Sequence, residues 1–263
     1  AAAVAAGRCR GSRGFDRQSR VIAGDSFLHV CQQFGPCIGI CCERIDDKER
    51  SILSRHFGTI GVAKMRVMQL IKTTRGATWA LRQVRVLRDL GVEVHVVLPD
   101  GEGLTSEYRN AGAAVHILDT DIASLKRPAA FLEARRAFRS LVDSTKPQLL
   151  HSHFVGTTLF MRFAMGNSGP KRIFQVPGPL HLENLITKQV EIRSAGALDF
   201  WVASCSATRE IYRNAGISDR KIGMVYYGID FDRFRTVSPV DLRSSLGISR
   251  DAAVVGIVAY IYG

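Results

Sequence analysis

Leu150-His151-Ser152-His153 puts two imidazoles two positions apart at the end of an apolar run. In an extended strand that spacing sends both rings to one side of the sheet. Such a pair could share a zinc ion, hydrogen-bond a ligand, move protons, or simply pack. No third ligand stands nearby in the sequence, so no metal is expected. His153, the outer of the two, is expected to reach a cleft as a hydrogen-bonding or acid–base group, with a packing role as the alternative. A second candidate is Val176-Pro177-Gly178-Pro179-Leu180-His181. Here two prolines fix the turn and Gly178 lets a ligand approach the backbone closely. His181 would open a helix whose dipole favours the neutral imidazole, and Glu183 follows two positions later.

Two further stretches complete the candidates. Residues 73–78 join an apolar run to a helical pattern. Amides at that helix start could receive a phosphate or a sugar hydroxyl, Gly76 shapes the turn, and Arg75 could add a cation. A plain tight turn with a solvated arginine explains the same residues. In Ala203-Ser204-Cys205-Ser206-Ala207-Thr208-Arg209, Ser206 has the type expected of a helix N-cap and Arg209 follows in the first turn. Cys205 lacks an activating partner and is not expected to be a nucleophile.

Alternating strands and helices must position these residues. Strand patterns are predicted over 66–71, 92–98, 115–118, 148–152, 172–176, 200–203, 222–226 and 254–260. Helical patterns fall over 77–90, 104–111, 128–145, 156–165, 181–193 and 206–215. Gly91 stands just past the first helix, and Pro128 and Pro147 bracket the third, each in its usual place. Strands alternating with helices imply right-handed βαβ units and a doubly wound parallel sheet. The expected fold class is α/β and Rossmann-like. Ligands of such sheets bind beyond the carboxyl ends of the strands, which is where the four candidate loops fall.

The chain has 263 residues, 46% apolar and 23% charged. That composition excludes disordered, collagenous and disulfide-scaffold classes. Lys and Arg number 36 against 24 Asp and Glu, a net charge of +12, which suits phosphate-bearing partners or an anionic membrane surface. No apolar run reaches a membrane-spanning length and no secretory signal is recognised, so a cytoplasmic location is expected. Residues 1–64 hold five of the six cysteines and a basic, glycine-rich start. They are expected to be a poorly ordered leader, read as translated upstream sequence, with Met65 before the first strong strand. Cys31, Cys37, Cys41 and Cys42 lack zinc-finger spacing.

Taken in order, several stretches resemble the N-terminal half of family 4-type retaining glycosyltransferases of the GT-B fold. These are the Gly76-Ala77 turn, Gly91-Val92-Glu93-Val94-His95-Val96-Val97, Leu150-His151-Ser152-His153, residues 199–209, and Val225-Tyr226-Tyr227-Gly228-Ile229-Asp230. The last is similar to the family's N-G-[IV]-D element before the interdomain linker. The chain departs from the family pattern in having Arg75-Gly76 for Gly-Gly, Tyr227 for Asn, and Pro177-Gly178 where many members have His-Gly.

The resemblance implies a glycosyltransferase N-terminal domain over 65–231, a linker with a short helix over 232–252, and the first strand of a donor-binding half over 253–263. It further implies sugar transfer from a nucleotide-sugar donor with retention, no cofactor and no metal, and a glycan or lipid-linked acceptor. Contact with an anionic membrane at the inner face of the plasma membrane would follow from such an acceptor. On this reading His153 and His181 are the catalytic candidates. Arg75, Gly76, Pro177, Gly178, Ser206 and Arg209 bind substrate, and Gly228 and Asp230 form a hinge. With most of the donor-binding half outside this sequence, little transfer is expected from the chain alone.

The competing classes are a GT-B nucleotide-sugar epimerase or phosphorylase, a nicotinamide-dependent oxidoreductase, and a basic nucleic-acid-binding module. The oxidoreductase needs a G-x-G-x-x-G turn that the Gly76 loop lacks. The binding module lacks an aromatic–basic platform or recognition motif, so no specific nucleic acid is expected.

Overall fold

The computed structural model describes residues 65–176, 178, 180–226 and 241–255. The expected leader, Pro177, the hinge residues Gly228 and Asp230, and residues 256–263 of the last predicted strand lie outside the described residues. Residues up to 226 and residues 241–255 belong to separate units.

Among the described residues of the larger unit, seven strands form one sheet. They are β1 (Arg66–Leu70), β2 (Glu93–Leu98), β3 (Ala114–Ile117), β4 (Leu149–Ser152), β5 (Lys171–Val176), β6 (Asp199–Ala203) and β7 (Ile222–Met224). All neighbours are parallel, in the order β3-β2-β1-β4-β5-β6-β7. The helices are α1 (Thr78–Asp89), α2 (Thr105–Asn110), α3 (Pro128–Thr145), α4 (Val155–Met165), α5 (Leu180–Glu183), α6 (Leu185–Arg193) and α7 (Ser206–Asn214). The expected α/β, Rossmann-like doubly wound sheet is the observed fold.

Parallel strands covered on both faces are buried along their length and mostly apolar, and β1 and β2 are buried from their second residue onward, with Gln69 and His95 as the polar exceptions. On one face Val67, Ile71, Val94, Val96 and Leu149 pack under Ala80, Leu81, Val84 and Leu87 of α1. On the other, Met68, Leu70, Val97 and Leu150 meet Phe131 and Phe138 of α3 and Phe160, Met161 and Ala164 of α4. Beyond β5 the second face continues with Phe174, Val176, Trp201, Ala203 and Tyr212 of α7.

The 3-10 helix Ile122–Lys126 has no predicted counterpart. Val254 and Val255, at the start of the strand predicted over 254–260, are not in a strand. The other predicted elements of the larger unit match the observed ones to within a residue or two except at three places. The helix predicted over 181–193 is two helices, because Asn184 is extended and its side chain caps α6 by accepting from the Thr187 amide at 3.0 Å. The cap of α7 is Cys205 rather than Ser206. Cys205 is extended, its Sγ lies 3.3 Å from the Thr208 Oγ1, and Ser206 is the first helical residue. The strand predicted over 222–226 ends at Met224. In the smaller unit α8 (Leu242–Ser245) is the short helix expected before Gly247, with Asp241 Oδ1 accepting from the Arg243 and Ser244 amides.

Candidate functional site

The winding reverses between β1 and β4. From β1 the chain runs outward to β2 and β3, whereas from β4 it runs the other way to β7. Helices leave in opposite directions at such a reversal, and in doubly wound sheets this is where a ligand crevice lies, beyond the carboxyl ends of the two strands. Register places Leu70 beside Ser152, so the Arg75–Gly76 loop and His153 leave the sheet side by side.

The loop after β1 is held from below. Thr74 Oγ1 donates to Asp100 Oδ1 at 2.8 Å, and the Leu104 amide donates to the Thr74 carbonyl at 2.8 Å. Asp100 also accepts from the Glu102 amide at 2.9 Å. That bond, with the one from Thr74, keeps its carboxyl below the usual range. Gly103 packs so tightly that a Cβ there would run into the Thr74 carbonyl. At the loop's tip Gly76 has φ +76°, while a Cβ there would meet nothing within 4 Å. The left-handed backbone, not crowding, requires glycine at that point. Arg75, exposed, pairs with Glu102 at 2.7 Å. Lys72 pairs with Asp121 at 3.0 Å. No side chain caps α1, which starts directly after the loop.

His151 and His153 fall on the same side of the sheet, as alternation requires, with ring centroids 4.2 Å apart. His153 is only 1% exposed and lies edge-on to the Trp79 indole at 4.4 Å. It therefore sits beneath the crevice rather than open to it. Neither of its ring nitrogens has a hydrogen-bond partner among the described residues.

Around it gathers a polar cluster inside an otherwise apolar layer. Gln69 is in register with His151 and fully buried, with both amide atoms unpartnered. Gln83 of α1 donates to Gln175 of β5 at 2.9 Å. Burial pushes His151 down to about 4, partly offset by Gln175. Burial, and then the neighbouring His151, lowers His153 well below the usual histidine range. Both rings are neutral near pH 7. They can exchange hydrogen bonds or protons but bring no cation. Unpartnered buried polar groups are uncommon, and a catalytic role is one of the reasons a fold keeps them. Among the described residues no set of three His, Cys, Asp or Glu side chains is placed to hold a metal ion.

His181 occupies a different place. Its Nε2 lies 3.1 Å from the Tyr212 hydroxyl and its ring 5.5 Å from that of Phe174. Its pKa falls to about 4. The chief cause is burial, not the helix dipole anticipated from the sequence, since α5 has only four residues. The Gly178 backbone partly offsets the shift. Among the described residues, His153 and His181 share no ring-contact or hydrogen-bond partner. Ser206 is exposed at the start of α7, and Arg209 pairs with Asp219 at 3.2 Å.

One polar assembly escaped the sequence reading. Arg162 of α4 pairs with Glu191 at 3.0 Å and with Asp199 at 3.1 Å, and Arg172 pairs with Asp199 at 2.9 Å, all four buried. The available signal was a lone arginine inside the apolar helix Val155–Met165, which must find partners.

A family model for Glycosyltransferase Family 4 matches residues 76–233. No curated protein matches the chain. Among solved structures, a glycosyltransferase from Rickettsia africae ESF-5 is similar at 14% identity and TM-score 0.50, over 72% of this chain and 51% of that one. Anabaena Alr3699/HepE, solved in complex with UDP-glucose, is similar at 16% identity and TM-score 0.51, over 71% of this chain and 50% of that one. The same Anabaena protein with UDP and glucose gives 16% identity and TM-score 0.51, over 70% and 50%. At these identities the likeness is one of fold, and the chain spans about half the length of the structures it resembles. The sheet is the Rossmann-like one of GT-B glycosyltransferases, and with most of its length matched by the family model the chain belongs to glycosyltransferase family 4.

Proposed function

We propose that the chain forms the acceptor-side half of a retaining glycosyltransferase. Such an enzyme would move a hexosyl group from a nucleotide-sugar donor to a glycan or lipid-linked acceptor, with no metal or cofactor. The observation that carries this reading is the pairing, at the β1–β4 crevice, of an open glycine turn with a neutral, unpartnered histidine beneath Trp79. The neutral imidazole, buried against Trp79, supports the wall of the site and brings no charge that would attract the donor diphosphate, which suits the acceptor's side. The uncrowded backbone at Gly76 would let an acceptor approach, and exposed Arg75 stands beside it. His181, Gly178, Ser206 and Arg209 would line the flanking loops.

An acceptor with an apolar portion is favoured by Leu180, Leu185 and Ile186, each at least 74% exposed on α5 and α6 beside His181. The net charge of +12 suits contact with an anionic membrane surface and so supports a location at the inner face of the plasma membrane. Among the described residues no helix is long and apolar enough to cross a membrane.

Calorimetric titration with two probes tests the proposal. Octyl glucoside should bind saturably to the chain, and His153→Ala should weaken that binding, while UDP-glucose should bind no tighter than about 1 mM. Tight UDP-glucose binding without octyl glucoside binding would place a donor site here and overturn the acceptor-side reading.

A further inference from the structure

Trp79 stands where the winding of the sheet reverses. It lies in the first turn of α1 and is half-buried. Its indole meets His153 at 4.4 Å and Phe154 at 6.3 Å, two residues that directly follow β4, so the ring reaches across from the β1 side to the β4 side. α1 turns Ala80, Leu81, Val84 and Leu87 into the core and leaves this one aromatic group in partial contact with water. The other tryptophan, Trp201, is 1% exposed. Below Trp79 lies the polar cluster in which the His153 ring and the Gln69 amide are buried with no hydrogen-bond partner among the described residues.

We propose that Trp79 is the platform on which a pyranose ring of the acceptor stacks, an inference that rests on the acceptor-side reading. A pyranose has a face of C–H groups and a rim of hydroxyls. Its C–H face needs a flat, apolar and rigid surface, and an indole supplies one at the cost of ordering only two side-chain torsions. His153 and Phe154 already hold this ring, so little freedom remains to be lost when a sugar lands on it. The backbone beside the ring is uncrowded, since a Cβ at Gly76 would meet nothing within 4 Å.

The neighbouring charges favour an uncharged ligand over a diphosphate. Both cations of the loop after β1 are compensated: Lys72 pairs with Asp121 at 3.0 Å, and Arg75 pairs with Glu102 at 2.7 Å. The Arg75 and Glu102 side chains are 79% and 69% exposed. They can keep their pair and still offer the remaining guanidinium N–H groups and carboxylate lone pairs to the hydroxyls of a sugar. An aromatic surface bordered by a planar donor and a planar acceptor matches the apolar face and the polar rim of one pyranose.

The chain has only two tryptophans, which makes the ring directly observable. Iodide quenches exposed indoles, so quenching in the unaltered chain reports Trp79 while buried Trp201 stays silent. At least one of the methyl glycosides of glucose, galactose and mannose should protect Trp79 from iodide, and the matching octyl glycoside should do so at lower concentration. Trp79→Phe keeps an aromatic surface and should bind that octyl glycoside within about threefold of the unaltered chain, whereas Trp79→Leu should bind it about tenfold more weakly. Protection by none of the methyl glycosides, or by 1-octanol in their place, would overturn the proposal, and so would a leucine variant that binds as well as the unaltered chain. Should the variants fail to fold, quenching of the unaltered chain decides alone. Calorimetric binding of an octyl glycoside with Trp79 still open to iodide would sink the platform and leave the acceptor-side reading standing. Protection by UDP-glucose and by no glycoside would overturn both.

Discussion

His153 meets the Trp79 indole edge-on, with ring centroids 4.4 Å apart and planes at 67°. Trp79 belongs to the first turn of α1 and His153 directly follows β4. The contact therefore joins the two chain segments that border the crevice, and it keeps water from an imidazole whose nitrogens have no protein partner. Trp79→Ala should raise the His153 pKa toward the ordinary histidine value, because burial is the main cause of its depression. A proton NMR titration of the two forms checks this. An unchanged pKa would mean that the sheet and helices, not Trp79, supply the burial.

Acid should destabilise the fold through the same cluster. His151 has a folded-state pKa of about 4 against 6.5 in its absence, so the native form binds fewer protons than the unfolded chain between those values. Stability is full above about pH 6.5 and falls as pH drops toward 4, by about 3 kcal/mol for this residue. Glu191, whose carboxyl is raised by burial, acts in the opposite sense, so the informative quantity is a difference. His151→Leu should flatten the dependence of urea midpoint on pH relative to the unaltered chain. Parallel curves would show that His151 does not titrate as described.

Asp199 should be among the costliest residues to remove. It holds Arg162 and Arg172 together and accepts from the Gly196 amide at 2.7 Å. Asp199→Ala leaves buried Arg172 without its carboxylate and Arg162 with Glu191 alone, and about 3–5 kcal/mol of stability should be lost. Equilibrium urea unfolding measures it. A loss below about 1 kcal/mol would mean that the buried arginines find other partners.

Gly76 and Gly103 should respond differently to alanine. At Gly76 only the left-handed backbone is violated, at a cost of about 1–2 kcal/mol. At Gly103 the added Cβ also meets the Thr74 carbonyl, which should bring the total to about 3 kcal/mol and shift the loop after β1. Thermal unfolding of the two variants decides, and equal losses would contradict the packing at Gly103.

How legible all this was depends on how local the determining physics is. The helix α3 could be read to the residue, because Pro128 and Pro147 act on the backbone beside them. The break between α5 and α6 was written in Asn184 with Thr187 three positions later, a capping pattern hidden inside an apolar stretch. Side-chain alternation correctly paired His151 with His153. It could not show that Trp79, some seventy residues earlier in the chain, covers the outer ring. The Arg162–Glu191–Asp199–Arg172 assembly and the Tyr212 contact to His181 were out of reach for the same reason. Their members come from separate helices and strands, and only packing brings them together.

Residue-resolved binding tests the central claim most directly. The 15N-labelled chain would be titrated with octyl glucoside, octyl galactoside and octyl mannoside while its backbone amides are followed. An acceptor site at the β1–β4 crevice predicts that at least one glycoside causes saturable shifts concentrated in residues 73–79, 153–154 and 180–190. Saturable shifts confined to other parts of the fold, or none with any of the three, would contradict it.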